Sequence, residues 1–175
     1  SAMNPRVHLT HITRENPMTP PMFCMLLRKH LQGSVLLRCT QQGFDRILRL
    51  DFEGRNEMGD LCVKSLIIEI MGRHSNIILV DDTGRIMDSA KHVDFTVSAV
   101  RQILPGLSYE APPPQDKRSI DDYTLLDLVT ALDHAPEDTL LDKFLLASFM
   151  GLSPLLAREI VYRFCQNTKV TRGEV

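Results

Sequence analysis

Five consecutive residues that no hydrophobic core would select, Gly72-Arg73-His74-Ser75-Asn76, interrupt two strongly apolar runs. Arg73, His74 and Ser75 place side-chain donors at the tip of this segment, which suits anion binding. Gly72 and Asn76 tolerate the positive φ of a tight turn. Loops are normally polar, so residue type alone leaves open whether this is a binding element or an ordinary hairpin tip. A second candidate is Asp45-Arg46, which opens an alternating stretch. A third is Gly151-Leu152-Ser153, where a small residue, an apolar residue and a small residue precede Pro154 and an amphipathic run.

No catalytic constellation accompanies them. The six histidines, at 8, 11, 30, 74, 92 and 134, lie singly, without a carboxylate or cysteine at a recognisable offset. There is no P-loop and no G-x-G-x-x-G. Cys24, Cys39, Cys62 and Cys165 form no C-x-x-C pair and have no histidine at ligand spacing, so neither a metal nor a cofactor is expected. The cysteines read as reduced thiols in packed positions, which favours a cytoplasmic protein. Glu137, Asp138 and Asp142 read as a solvated helix start rather than a metal site. The expectation is a binding module, not an enzyme.

At 175 residues and 43% hydrophobic content, the chain is long enough for one ordinary domain with a small appendage. Its apolar runs are short and broken by Lys64, Glu69 or Asp81, so no membrane span is expected. Ser1-Ala2-Met3 is an unusual beginning, and the chain is expected to be a piece of a longer one. The net charge of −2 exerts no general pull on nucleic acid. Any RNA contact must therefore use a local patch.

The candidate residues need elements to hold them. Residues 6–10, RVHLT, alternate like the end of a strand. The Asn16-to-Pro21 turn then leads into a helix from Pro20 to Gln32, with Gly33 as its stop. Arg28, Lys29 and His30 fall in its last turns, where they complement the helix dipole or offer a phosphate contact. Strand-like runs follow at 34–41, 45–53, 61–71, 76–82 and 85–90, separated by tight turn signals. Short consecutive strands with such turns predict an antiparallel meander. In 45–53, Leu48, Leu50 and Phe52 share one face, while Asp45, Arg49, Asp51 and Glu53 are expected to face solvent. Arg46 shares the apolar parity, so it must sit at the rim or be paired.

Residues 91–109 weaken into an irregular or short helical stretch. The prolines at 112–114 predict a linker over 112–118. The period then becomes helical, with Ser119 and Asp121 as capping candidates for a helix through Leu125–Leu132, and a second helix through Leu140–Phe149. Gly151-Leu152-Ser153 followed by Pro154 fits a helix–hairpin–helix that grips one phosphate, and fits equally a plain helical hairpin. The fold class is α+β: a β-rich domain over 1–111, then a helical region over 119–175.

Several motifs together resemble one family: PPMFCMLLRKHL (20–31), GFDRIL (43–48), RNEMGD (55–60), EIMGRHSNIILVD (69–81), ILPG (103–106), PPPQDK (112–117) and GLSPLLAREI (151–160). They match the N-terminal (NFACT-N) region of the bacterial fibronectin-binding-protein-A-like proteins, also called RqcH, whose eukaryotic relatives include NEMF. The resemblance implies a ribosome-associated, cytoplasmic quality-control factor. Its partners would be tRNA and a large ribosomal subunit obstructed by peptidyl-tRNA, and its role would be to recruit charged tRNA for untemplated alanine tailing. The family's Asp-Arg pair, implicated in tRNA engagement, falls on Asp45 and Arg46, and its GRHSN turn falls on Gly72 to Asn76.

The first part of the family domain, the coiled coil and the C-terminal RNA-binding domain are expected to lie outside this chain. A missing strand would leave an open sheet edge as a route to a homodimer. The β-rich part also resembles the N-terminal domain of formamidopyrimidine-type DNA glycosylases. Ser1-Ala2 does not offer their N-terminal proline nucleophile, so no chemistry carries over. The family's description as fibronectin-binding adhesins supplies the alternative function and fibronectin as the alternative partner.

Overall fold

The computed structural model describes residues 4–13, 15–114 and 117–175. The chain divides into two compact units, residues 1–112 and 113–175. Residues 115 and 116 of the expected linker, and Ser1-Ala2-Met3, lie outside the described residues.

In the first unit, helix α1 spans Met22–Leu31. Pro21, at φ −58°, presets its first turn, and Gly33, at φ 79°, takes the left-handed conformation that ends it. Five strands follow: β1 Val35–Gln41, β2 Ile47–Arg55, β3 Leu61–Glu69, β4 Asn76–Val80 and β5 Ile86–Ser89. They form an antiparallel sheet in sequence order, as the turn spacing predicts. All seven residues of β1 are exposed at one edge.

The core lies on the face shared by Ile67, Ile78, Val80 and Ile86. Ile67 stands opposite Ile78, and each such side chain, fully buried, contributes roughly 1.5–3 kcal/mol. This face is covered by the irregular segment after β5. Val93 and Ile103 bridge each other there, and Ile103 and Tyr109 pack on the strands. Helix α1 contacts β2 and β5.

The parity expected for β2 is corrected here. Asp51 does not face solvent but is 1% exposed. Its register partner is Ser65, on the core face of β3, whose hydroxyl donates to it at 2.7 Å. Arg38 and Arg49 donate to the same carboxylate at 2.6 and 2.8 Å. An acidic residue on the core side is thus paired from three directions, which is what its burial requires.

Three further expectations also need correction. Residues 6–10 form no strand. Their polar groups close on one another instead, with Arg6 Nε donating to His8 Nε2 at 3.1 Å and the Ile12 amide to Thr10 Oγ1 at 3.1 Å. Asn76 adopts no positive φ but begins β4 as an extended residue. Cys39 is exposed on the edge strand rather than packed.

In the second unit, α2 spans Leu125–Asp133, α3 Leu141–Ser148 and α4 Pro154–Cys165. Thr124 caps α2 through a capping box with Asp127, so Ser119 and Asp121 are not its caps. Ser119 instead caps the short 3₁₀ turn Ile120–Asp122. Leu141, Val161 and Val170 form the core, with Leu132 and Leu145 packed against them. Asp142 lies in the first turn of α3, where the helix dipole favours an acid, but contrary to the solvated helix start expected it is buried, 5% exposed, with Arg158 as its cation at 3.7 Å.

Candidate functional site

Two of the three candidate segments meet at one end of the sheet. The Ile70 amide, just past β3, donates to the Arg46 carbonyl at 2.8 Å, and Ile70 lies two residues before Gly72. Arg46 therefore stands at the rim, immediately before β2. Its exposed side chain has no hydrogen bond or ion pair among the described residues. Asp45 is half-buried and held by its backbone, accepting from Gln41 Nε2 at 2.8 Å. It does not pair with Arg46.

The turn is a single 3₁₀ turn, Gly72–His74. Gly72 enters it at φ 54°, a conformation costly for any side chain with a Cβ. Ser75 Oγ accepts from the Met71 amide at 2.9 Å, closing the turn from within. Asn76 is 5% exposed, and its amide is fully engaged. Its Oδ1 accepts from the Ile77 and Lys91 amides at 2.9 and 3.0 Å, and its Nδ2 donates to the Lys91 carbonyl at 2.8 Å. Ser75 and Asn76 thus build the turn, and Arg73 and His74 are left as its exposed polar groups. Arg73 Nε donates to His74 Nε2 at 3.0 Å, a tautomer inferred from that geometry.

Lys91, which sequence reasoning did not select, joins them. Asn76 anchors its backbone, and its Nζ donates to the Arg73 carbonyl at 3.2 Å. Nothing in its sequence setting, a lone cation after a strand, marks it out. Arg73, His74 and Lys91 form a small donor-rich cluster, and Arg46 lies at the same end of the sheet through its backbone bond to Ile70. Beside it, a 170 Å³ cleft runs between Pro5-Arg6, Ile68–Ile70, Ser75–Ile77 and Ala90-Lys91.

Behind the cluster lies a second arrangement that the sequence did not reveal. Glu69, 1% exposed, accepts from Arg101 through both carboxylate oxygens, and from the Tyr109 hydroxyl at 2.9 Å. Burial first, and then the Glu69 charge, push the Tyr109 hydroxyl well above its usual pKa, so it acts only as a donor. This network fixes the end of β3 from which the turn projects.

The third segment lies in the second unit. Gly151, at φ 78°, lets α3 turn into α4, and Ser153 caps α4 by accepting from the Leu156 amide at 3.1 Å. Pro154 has no amide hydrogen, and the Ala157 amide already donates to the Ser153 carbonyl. Of the three amides in residues 154–157, only that of Leu155 is left for an outside anion. Ser153 therefore serves the helix before it serves any ligand, and Leu152 is half-buried. Among the described residues, no three His, Cys, Asp or Glu side chains converge as metal ligands, and no helix is long and apolar enough to cross a membrane.

The chain is thus of the α+β class, a five-stranded antiparallel meander with a donor-rich sheet end followed by a helical unit. Comparison with known proteins makes this specific: the chain belongs to the NFACT family, matching its N-terminal and middle domains over residues 1–174. It is 45% identical over 167 residues to the Rqc2 homolog RqcH of Bacillus subtilis, a match that covers 95% of this chain and 29% of that protein. The yeast ribosome quality control complex subunit 2, from Saccharomyces cerevisiae, is 37% identical over 82 residues, covering 47% of this chain and 7% of that one. Among solved structures, the N-terminal domain of fibronectin-binding protein PavA from Streptococcus pneumoniae superposes with a TM-score of 0.76 at 38% identity. That match covers 92% of this chain and 62% of that one. This chain thus spans under a third of the RqcH relative's length.

Proposed function

We propose that this chain is a non-catalytic, RNA-contacting part of a ribosome-associated quality-control factor. In the whole protein it engages tRNA and a large ribosomal subunit obstructed by peptidyl-tRNA. By recruiting charged tRNA there, it supports untemplated alanine tailing in the cytoplasm. The observation that carries this reading is the backbone bond between Ile70 and Arg46, which gathers Asp45-Arg46 and the 72–76 turn on one end of the sheet. Relatives named for ribosome quality control support it.

The exposed Arg46, Arg73, His74 and Lys91 suit contacts to phosphate and ribose, which position RNA without reading its sequence. With a net charge of −2, this local cluster must do what bulk charge does not. The Gly151-Leu152-Ser153 turn is at most an auxiliary phosphate contact, made through backbone amides at the entry to α4.

The test is replacement of Asp45 and Arg46 by Ala in the full-length protein, followed by sequencing of the tRNA that co-sediments with obstructed large subunits. Loss of tRNA with subunit binding retained supports the reading, and unchanged tRNA recovery refutes it. The naming of the PavA neighbour motivates a second reading, a fibronectin-binding adhesin. It predicts that this chain captures fibronectin directly, and that the native protein fractionates with the cell surface rather than with ribosomes.

A further inference from the structure

Lys64, on β3, is 7% exposed, and the one hydrogen bond its Nζ makes among the described residues is to the Cys62 thiol, at 3.2 Å. A thiol is a weak acceptor. No carboxylate among the described residues lies within ion-pair distance of this amine. Burying an amine without an anionic partner is costly, and protein interiors normally supply that partner.

Lys64 lines a 580 Å³ cleft between the last turn of α1, the β2–β3 turn and the chain after β4, a size typical of small-ligand sites. Lys29, His30 and Arg55 line it as well, with Met87 on its wall. The carboxylates around it are largely committed elsewhere. Glu57 pairs with Lys29 at 2.9 Å. Asp81 Oδ1 accepts from the Thr83 amide, the Thr83 hydroxyl and the Arg85 amide of its own turn. Asp82 is exposed. Three cations, Lys29, Arg55 and Lys64, face three carboxylates, Glu57, Asp81 and Asp82, so it is the placement of Lys64, apart from any carboxylate, and not the charge sum that favours an anion there. His30 senses the same cations: burial first, then Lys29 and Lys64, hold its ring below the usual histidine range, with Glu57 acting in the opposite sense.

We propose that this cleft binds a small phosphate monoester, with Lys64 as the buried charge beneath the phosphate and Arg55 and Lys29 closing over it from the rim. A phosphate fits better than a carboxylate because its oxygens diverge in three directions and so match donors arriving from a helix, a hairpin and a strand. The site is separate from the proposed RNA contact. Lys64 lies six residues along β3 from Ile70, roughly 20 Å at strand rise.

The experiment labels the methionine methyl groups of the chain and follows Met87 by NMR during three titrations: inorganic phosphate, a nucleoside 5′-monophosphate, and an RNA hexamer lacking terminal phosphates. The Met87 methyl is expected to shift saturably with the first two and not with the third. Lys64→Met should weaken binding about tenfold or more while raising Tm, because an apolar side chain of similar length replaces an unpaired buried amine. Arg55, on the exposed hairpin, gives one N–H to the Gly59 carbonyl at 2.6 Å and keeps its other donors for a ligand, so Arg55→Gln should weaken binding severalfold with only a small change in Tm. A Met87 methyl indifferent to phosphate overturns the proposal, as does undiminished affinity in Lys64→Met. An equal response to the hexamer overturns it too, since that describes a phosphodiester surface. Should Lys64→Met fold poorly, Arg55→Gln decides alone, and unchanged affinity there refutes the site.

Discussion

Arg46 and Ile70 share a backbone hydrogen bond of 2.8 Å, which makes the start of β2 and the 72–76 turn neighbours across two strands. If both touch one RNA backbone, each cation that neutralises a phosphate steepens the salt dependence of binding by about one in log–log slope. Arg46→Ala and Arg73→Ala in the full-length protein should each flatten the slope for tRNA by about one, and the double variant by about two. Filter binding across salt concentrations measures this. An unchanged slope in either single variant removes that residue from the contact.

Asp51 makes the β-rich unit sensitive to acid. Burial pulls its carboxyl upward, but hydrogen bonds from Ser65, Arg49 and Arg38 outweigh burial and hold the pKa at about 2, against an ordinary 3.8. Because the folded value lies below the unfolded one, the stabilisation is complete above pH 3.8 and drains away as pH falls toward 2. Both arginines are half exposed or more, so solvent screening trims the effect to roughly 1–2 kcal/mol. Denaturant titrations of wild type and Asp51→Asn at pH 5 and pH 2 should show a larger loss in the wild type, the difference being the share of Asp51, since Asp81 and other hydrogen-bonded carboxylates are held low in both proteins.

The Glu69–Arg101 pair is a buried structural clamp, and its two members are not equivalent to their joint removal. Arg101→Ala leaves a 1%-exposed carboxylate without its cation and should cost about 3–5 kcal/mol. The triple variant Glu69→Leu, Arg101→Met and Tyr109→Phe should recover most of that loss, because it removes every member of the network, including the Tyr109 hydroxyl that donates to Glu69, and paired burial is nearly balanced by desolvation. Chemical denaturation of the three proteins separates the outcomes. Equal losses in both variants would show that packing, not charge, sets the cost.

The β1 edge, with Val35, Leu36 and Leu37 each half exposed or more, offers free strand polar groups beside apolar side chains. Such an edge recruits another strand. Sedimentation velocity of this chain should show concentration-dependent dimers, and Leu36→Lys should return it to monomer. A monomer at every concentration would show that the edge is blunted by its own bulge between Leu36 and Arg38.

The five strands and α1 were readable because β-branched runs, glycine stops and a proline start act locally. Long-range side-chain pairs are less readable. Arg101 and Tyr109 reach Glu69 from 32 and 40 residues away, and no spacing rule connects them. Asp51 departs from the alternation rule because that rule assumes one wet face. In fact the α1 side and the side under residues 93–109 are both covered, so polar residues of odd parity were buried in pairs. Arg46 was placed correctly at the rim, but only the register could say that the turn was its neighbour. RVHLT had the alternation of a strand and no partner to pair with, and alternation alone does not make a ladder.

The side-chain amide of Asn76 does for Lys91 what a neighbouring strand would do: it offers an acceptor to the residue's N–H and a donor to its C=O. In effect it extends the sheet by one rung where the backbone has run out. The consequence is rigidity in advance of contact. Arg73 and Lys91, from two different loops, are mutually fixed before any ligand arrives, so a ligand meeting them bears little of the entropy of ordering them. Asn76, itself hidden from solvent, sets how tightly residues that never touch it can hold what they bind.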